Sequence, residues 1–152
     1  MAQPRGQVRV PADLERVAEV RSLVRQVVGD CAAPDPCEDD LVQAVDEAAT
    51  NAIVHGYRGL PGWLEVTAER VDDRIVVTLK DTAPTFDPTA VAEPDLAGPP
   101  ERRRPGGMGV HLMRQATDSI THAPRPGGGN ILTMTRRLDK SAWQERLKEI
   151  DR

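Results

Sequence analysis

The sequence contains few aromatic residues and few cysteines. Aromatic side chains make up 3% of the 152 residues, so few platforms exist on which nucleic-acid bases could stack. The two cysteines, Cys31 and Cys37, cannot form a four-ligand zinc site alone, and neither a Cys-x-x-Cys motif nor a pair of histidines at ligand spacing accompanies them. We therefore expect two free or buried thiols in a reducing compartment.

The sequence also lacks an excess of positive charge and any long apolar run. Its 20 Lys and Arg residues face 24 Asp and Glu residues, for a formal net charge of -4. Because binding to nucleic-acid phosphates needs a basic face, this balance argues against a direct nucleic-acid partner. No stretch approaches the ~20 apolar residues of a membrane span, and no apolar run follows the N-terminal residues. The sequence thus predicts a cytoplasmic protein without membrane contact.

The hydrophobic periodicity predicts one α+β domain. Apolar residues at helical spacing predict a helix from Asp13 to about Asp30, a second from Asp35 to Gly56 and a third from the glycines at 106–109 toward Asp118. Alternating residues predict strands near 7–10, 64–69, 75–79, 119–123 and 130–137. This order predicts a two-layer sandwich, in which helices cover one face of a mixed, mostly antiparallel sheet. We place the domain at 7–138 and a C-terminal helix or tail, which carries Trp143, at 139–152.

Proline is dense in one segment, residues 82–105, which contains six of the 13 prolines. Such density prevents a regular helix or a central strand. Unstructured connections of this length are usually functional lids or disordered segments. We expect a lid that is mobile without a ligand. Its one aromatic residue, Phe86, either pins the lid down or is a packing anchor, and we favour packing.

A polar stripe lies on the second helix. Glu47, Asn51 and His55 are spaced four apart, so they follow one face beside the apolar arc of that helix. At the rim of the core, a carboxylate can act as a general base, and an amide oxygen can bind a hard cation such as Mg²⁺. The competing interpretation, a solvated face of an amphipathic helix, is the common one for such spacing.

Two further features carry chemistry. Asp81 continues the inward series of its strand, where no internal donor is obvious, so its carboxylate needs a partner such as a purine amine; a cap on the following loop is the alternative. Gly106-Gly107-Met108-Gly109 opens a helix, where glycines and the helix N-terminus suit phosphate groups, although an ordinary turn is more common. No Gly-Lys-Ser/Thr follows, so this is not a Walker loop.

The order of these motifs resembles the GHKL (Bergerat-fold) ATPases and, within them, the anti-sigma-factor serine kinases of bacterial partner-switching systems. The resemblance covers residues 7–138. It is carried by Glu47-Ala-Ala-Thr-Asn51-Ala-Ile-Val-His55-Gly-Tyr, by Asp81-Thr-Ala-Pro-Thr-Phe86-Asp-Pro, and by Gly106-Gly-Met-Gly-Val110. The first of these runs is rather specific to the subgroup, whereas the superfamily shares the glycine boxes.

The resemblance implies ATP and Mg²⁺ as cofactors and assigns the site residues. Glu47 is implied as the catalytic base and Asn51 as the Mg²⁺ ligand. The implied ATP-binding residues are Asn51, Asp81, Phe86, Gly106, Gly107, Met108, Gly109, Val110 and Asn130, and further phosphate contacts are expected from His55, Arg103 and Arg104. The implied partners are a sigma factor, a STAS-fold anti-anti-sigma protein that receives the phosphoryl group, and a second copy of the chain.

The sequence departs from this family pattern at three places. Ala83 and then Pro84 stand where a glycine is usual, Pro105 stands where some members have an arginine, and Asn130 replaces a common threonine. The first two departures keep an alternative open: an ATP-binding module that sequesters a regulatory protein without phosphoryl transfer. A role in histidine phosphorylation is disfavoured, because no helical domain with an acceptor histidine precedes the motifs. We interpret His111 and His122 as structural or exposed.

Overall fold

A computed structural model describes residues 3–32, 35–90 and 107–138 of the chain. The elements, in chain order, are β1 (Arg5–Pro11), α1 (Val17–Asp30), α2 (Asp35–Asn51), β2 (Trp63–Val71), β3 (Arg74–Asp81), α3 (Gly107–Ala116), β4 (Ser119–Pro124) and β5 (Asn130–Arg137). Short 3-10 turns occupy Leu14–Arg16 and Pro88–Ala90, and α2 continues as a π-helix over Ala52–Tyr57. The predicted C-terminal helix and most of the predicted lid lie outside the described residues, so both stay predictions.

The five strands form one sheet in the order β1-β2-β3-β5-β4. All of its paired neighbours are antiparallel, whereas the sequence analysis allowed a mixed sheet. The chain leaves β3, enters the sheet again at the edge through β4, and returns through β5 beside β3. This return places Asn130, the first residue of β5, directly opposite Asp81, the last residue of β3.

Alternation along the strands explains the two layers. The inward residues of the central strands are buried and apolar, and they are Leu64, Val66, Ala68, Ile75, Val77, Leu79, Leu132 and Met134. Helix α1 packs on β1 and β2, α2 packs on β3 and β5, and α3 packs against α2 and β4. The predicted α+β sandwich with helices on one face is therefore confirmed.

The helices bury apolar faces at helical spacing. On α1 the buried residues are Val17, Val20, Val24, Val27 and Val28. On α2 they include Leu41, Ala44, Val45, Ala48 and Ala49, while Ala52 is only partly buried. Both cysteines are free and buried, as expected, and burial raises the pKa of Cys37 to about 11. No helix among the described residues is long and apolar enough to span a membrane.

Two predicted helix ends were wrong by a short distance. The second helix passes Gly56 and ends after Tyr57, where Arg58 adopts a left-handed conformation with φ 53°. The third ends at Ala116 rather than at Asp118, whose carboxylate instead accepts a hydrogen bond from the Arg137 N–H at 2.6 Å. A left-handed residue such as Arg58 and a contact such as that of Asp118 are features that apolar spacing does not report.

Candidate functional site

Two of the predicted motifs meet where α3 begins. A Cβ atom placed on Gly109 would lie 2.8 Å from Oε2 of Glu47 and 3.5 Å from both terminal atoms of the Asn51 side chain. The backbone of the first turn of α3 therefore lies directly against these two polar groups. Only glycine leaves this space open, so the glycine motif and the polar stripe of α2 form one site.

Glu47 and Asn51 have polar atoms available for a ligand. Both side chains are half-buried, and neither forms a hydrogen bond with the residues that the structure describes. Burial raises the pKa of Glu47, and the neighbouring charge of Asp46 raises it further. A carboxylate with a raised pKa is a better proton acceptor, as a general base requires.

The π-helix after Asn51 is hydrogen-bonded to the first residue of β2 and to Thr82, the residue after β3. The hydroxyl of Tyr57 donates to the carbonyl of Trp63 at 2.6 Å and accepts from the N–H of Thr82 at 2.8 Å. Segments of π-helix are rare in proteins, and those that do occur are often found at functional sites. This role of Tyr57 was not predicted from the sequence. The feature that could have indicated it is the position of the single tyrosine of the chain at the end of the helical pattern.

Asp81 is buried at the end of β3, with 4% of its surface exposed. The expectation that it has no internal donor was wrong. Its Oδ1 accepts from the N–H of Ala83 at 3.0 Å and from Nδ2 of Asn130 at 2.9 Å. Burial raises the pKa of Asp81, and these two hydrogen bonds oppose that rise. Among the described residues no side chain donates to its second oxygen, Oδ2, although the backbone N–H of Asn130 also favours the carboxylate, so Oδ2 can accept from an amine.

Asn130 connects Asp81 to the segment that follows it. Its Oδ1 accepts from the N–H of Phe86 at 2.9 Å and lies 2.7 Å from Nε2 of His122, while its Nδ2 also faces the carbonyls of Ala83 and Pro84 at 3.4 and 3.3 Å. The shorter side chain of threonine has no amide with which to make this set of contacts. The third departure from the family pattern thus builds a local hydrogen-bond network.

Ala83, the first departure, fits its position. It is buried, and a Cβ on Gly56 would lie 3.1 Å from the Cβ of Ala83, so the π-helix and the turn after Asp81 touch there. Ala83 also donates its N–H to Asp81. The loop between β4 and β5 approaches from the other side, where Gly129 has φ +120° and a Cβ would lie 2.0 Å from the Asp81 carbonyl oxygen. Glycine is required at that crossing.

The remaining predicted residues are placed as follows. Phe86 is 58% exposed, so its expected role as a packing anchor was wrong. His55 is exposed on the π-helix, and Val110 is buried in α3. Gly107 and Met108 form the first turn of α3, whereas Gly106, Arg103, Arg104 and Pro105 lie outside the described residues. Arg114 on α3 donates to the carbonyl of Thr89 at 2.6 Å, which ties α3 to the start of the proline-rich segment.

The sequence matches one domain family. Residues 10–136 match the family described as histidine kinase-like ATPase domain. The matched range includes all of the helices and strands that form the site, from α1 to β5, apart from the final residue of β5.

Several curated proteins are similar to this chain. The anti-sigma F factor of Oceanobacillus iheyensis is 33% identical over 114 residues, which cover 70% of this chain and 76% of that protein. The serine-protein kinase RsbW of Staphylococcus aureus is 28% identical over 142 residues, covering 88% and 87%. The serine/threonine-protein kinase BtrW of Bordetella bronchiseptica is 30% identical over 96 residues, covering 62% and 67%.

One solved structure shares the fold. The structure of the RsbU and RsbW domains of a Mycobacterium tuberculosis protein matches with a TM-score of 0.64 at 19% identity. The match covers 88% of this chain but spans about a third (32%) of that longer chain. At this identity the likeness concerns the fold alone.

Proposed function

We propose that this chain, which belongs to the histidine kinase-like ATPase domain family and within it to the anti-sigma-factor serine kinases, phosphorylates a serine of a STAS-fold anti-anti-sigma protein. ATP is the donor that the family binds. Unphosphorylated STAS-fold protein competes with a sigma factor for the kinase, and phosphorylation releases it. The kinase is then free to hold the sigma factor.

The contact of Gly109 with Glu47 and Asn51 carries this proposal. It brings a candidate base, a candidate cation ligand and a helix N-terminus together. Phosphoryl transfer needs positioning and neutralisation of charge more than covalent help from the protein. The three features supply these needs at adjacent places.

Each residue has a role in the proposed transfer. The serine Oγ forms a bond to the γ-phosphorus as the bond between that phosphorus and the ADP oxygen breaks. Glu47 accepts the serine proton, and ADP leaves with the electron pair of the broken bond. The free Oδ2 of Asp81 accepts from the adenine amine, and the N–H groups of Gly107 and Gly109 lie at the helix N-terminus that faces the phosphates.

The residues present also fit a magnesium ion. The amide oxygen of Asn51 is a hard ligand without a hydrogen bond to the described residues, and it lies beside the glycine turn. When bound, Mg²⁺ supplies charge neutralisation on the phosphates. We further propose that the protein acts as a homodimer in the cytoplasm, as the family resemblance implies.

The alternative was a non-catalytic ATP-binding module, and it depended on Ala83 and Pro105. Ala83 is bonded into the site without a positive φ angle, so it gives that alternative no support. Pro105, the second departure, lies outside the described residues.

The decisive experiment is transfer of label from γ-labelled ATP with Mg²⁺ to STAS-fold proteins of the same genome. We expect one of them to be labelled, and its serine-to-alanine variant to stay unlabelled. Co-elution with sigma factors, measured with and without that protein, tests the partner switch. Tight ATP binding with no labelled STAS-fold protein would favour the non-catalytic module.

A further inference from the structure

A further polar side chain close to the Asp81–Asn130 pair, that of His122, has no role in the proposed transfer. His122, on β4, has a side chain that is 5% exposed. Its Nε2 lies 2.7 Å from Oδ1 of Asn130, and its Nδ1 lies 3.9 Å from a carboxylate oxygen of Asp87. His122 and Asn130 are diagonal neighbours on the same face of the β4–β5 hairpin, because Pro124 pairs with Asn130 and His122 with Leu132.

The neighbours of Asn130 determine which atoms carry protons. The backbone N–H of Phe86 can only donate, so the amide atom that it meets at 2.9 Å is the oxygen. The carbonyls of Ala83 and Pro84 can only accept, so the atom that they and Asp81 face is the nitrogen. Nε2 of His122 meets the amide oxygen and must therefore carry a proton. The hydrogen bonds run in one direction, from His122 to Asn130 to Asp81.

We propose that His122 is a positioning residue for the nucleotide base: through Asn130 it holds the carboxylate of Asp81 with Oδ1 occupied and Oδ2 free to accept from an exocyclic amine. This inference rests on the proposed function, because it takes ATP as the ligand. Without the donor from His122, the Asn130 amide loses one of the two groups that fix its orientation through oxygen. The carboxylate of Asp81 is then free to rotate or to bind a proton.

The proposal has a consequence for the effect of pH. Burial raises the pKa of Asp81, and the bond from Asn130 is the first opposing effect. The titratable groups of the described residues that face this chain of bonds are His122 from β4, Asp87 from the segment after β3, and Tyr57, whose hydroxyl bonds to Thr82. A protonated Asp81 no longer offers two acceptor oxygens. ATP affinity therefore falls as pH falls, and loss of the His122 donor moves that fall to higher pH.

The test compares two nucleotides across a range of pH values. Purine riboside triphosphate lacks the exocyclic amine of ATP, so the ratio of the two affinities measures the amine contact. Calorimetric titrations use the full chain and three variants: His122→Ala, His122→Gln, whose amide N–H restores a donor, and Thr121→Ala, an exposed change on the opposite face of β4. We expect His122→Ala to reduce the preference for ATP roughly threefold to tenfold, the loss typical of one weakened hydrogen bond to a charged group.

Each outcome decides a specific claim. The proposal is supported if His122→Gln restores most of the preference for ATP over purine riboside triphosphate and Thr121→Ala leaves that preference unchanged. It also requires that the loss of ATP affinity at low pH begins at a higher pH in His122→Ala. An equal loss for both nucleotides, or an unchanged preference in folded His122→Ala, overturns the positioning role. If His122→Ala does not fold, an unchanged pH profile in Asn130→Ala, which removes the donor to Asp81 directly, overturns it instead. If wild-type protein binds both nucleotides equally, the amine contact fails, while label transfer to a STAS-fold protein still decides the proposed function.

Discussion

The two halves of the candidate site differ in how their polar groups are satisfied. At the end of β3, Asp81 and Asn130 are held by hydrogen bonds from the backbone and from His122. At the junction of α2 and α3, the side chains of Glu47 and Asn51 form no hydrogen bond with the described residues. The first half is organised before any ligand arrives, and the second half keeps its polar atoms available.

This difference fits the separate tasks of recognition and reaction. A carboxylate that selects one nucleotide base must stay in place. Neighbours that already hold it lower the conformational entropy that is lost on binding. Groups that serve phosphates, a cation and a serine hydroxyl need free lone pairs until these ligands bind. We therefore expect substitutions in the first half to change affinity or folding, and substitutions in the second half to change transfer.

The largest expected effect is at Glu47. Glu47→Gln keeps the shape of the side chain but removes the proton acceptor, so transfer to the serine substrate should fall by roughly 10²–10⁴ with nearly unchanged ATP affinity. Label-transfer rates and calorimetric titration measure the two quantities. Glu15→Gln is the matched control, since Glu15 is exposed in the turn before α1 and has no proposed role. A wild-type rate in Glu47→Gln would exclude the base role.

The second expected effect concerns folding at the organised half. Gly129→Ala would place a Cβ 2.0 Å from the Asp81 carbonyl oxygen, at a residue with φ +120°. We expect the free energy of unfolding to fall by roughly 3 kcal/mol or more, because backbone must move. Gly128→Ala has a similar φ of +112° but open space around it, so it should cost only about 1 kcal/mol. Denaturant unfolding that gives equal losses for both would show that contact at Gly129 is unimportant.

Much of the fold was predictable from the sequence, because alternation and helical spacing report directly on burial. The inward direction of Asp81 followed from the same alternation. Its contact with Asn130 did not, since the two residues are 49 positions apart and meet only through the register of β3 with β5. The hydrogen bonds of Tyr57, the last residue of the π-helix, could not be predicted either, because they reach Trp63 and Thr82 in other parts of the fold.

A third prediction concerns the contact between the glycine turn and the reactive half. Gly109→Ala would place a Cβ 2.8 Å from the carboxylate of Glu47, a flexible side chain that can move aside at small cost to the fold. The displaced base should lower transfer by roughly 10- to 100-fold, because small misplacements are costly in catalysis. Gly29→Ala, which meets nothing within 4 Å, should keep wild-type transfer. Equal rates for both variants would contradict the assembly of this half around Gly109.

A fourth prediction concerns ATP affinity at the organised half. Asp81→Asn keeps Oδ1 as acceptor for Ala83 and Asn130 but replaces Oδ2 with a donor that repels an amine. We expect ATP affinity to fall by roughly 10- to 100-fold, the range for a lost hydrogen bond to a charged group. Affinity for purine riboside triphosphate, which has no amine, should change much less. Equal affinity of wild type and variant for ATP would remove Asp81 from the site.

The smallest expected effect is on stability, and its sign separates recognition from folding. Because burial raises the pKa of Asp81, the folded state favours the protonated carboxyl. The stabilisation from that proton is fully present below the unfolded pKa and is lost as pH rises through the folded pKa. At neutral pH, Asp81→Asn, which has no charge to bury, should therefore be at least as stable as wild type. As pH falls, the free energy of unfolding of wild type should rise relative to that of the variant. Denaturant unfolding of both proteins from pH 7 to pH 4 measures the difference, and a variant that is clearly less stable at pH 7 would mean that the ionised Asp81 holds the fold as well as the ligand.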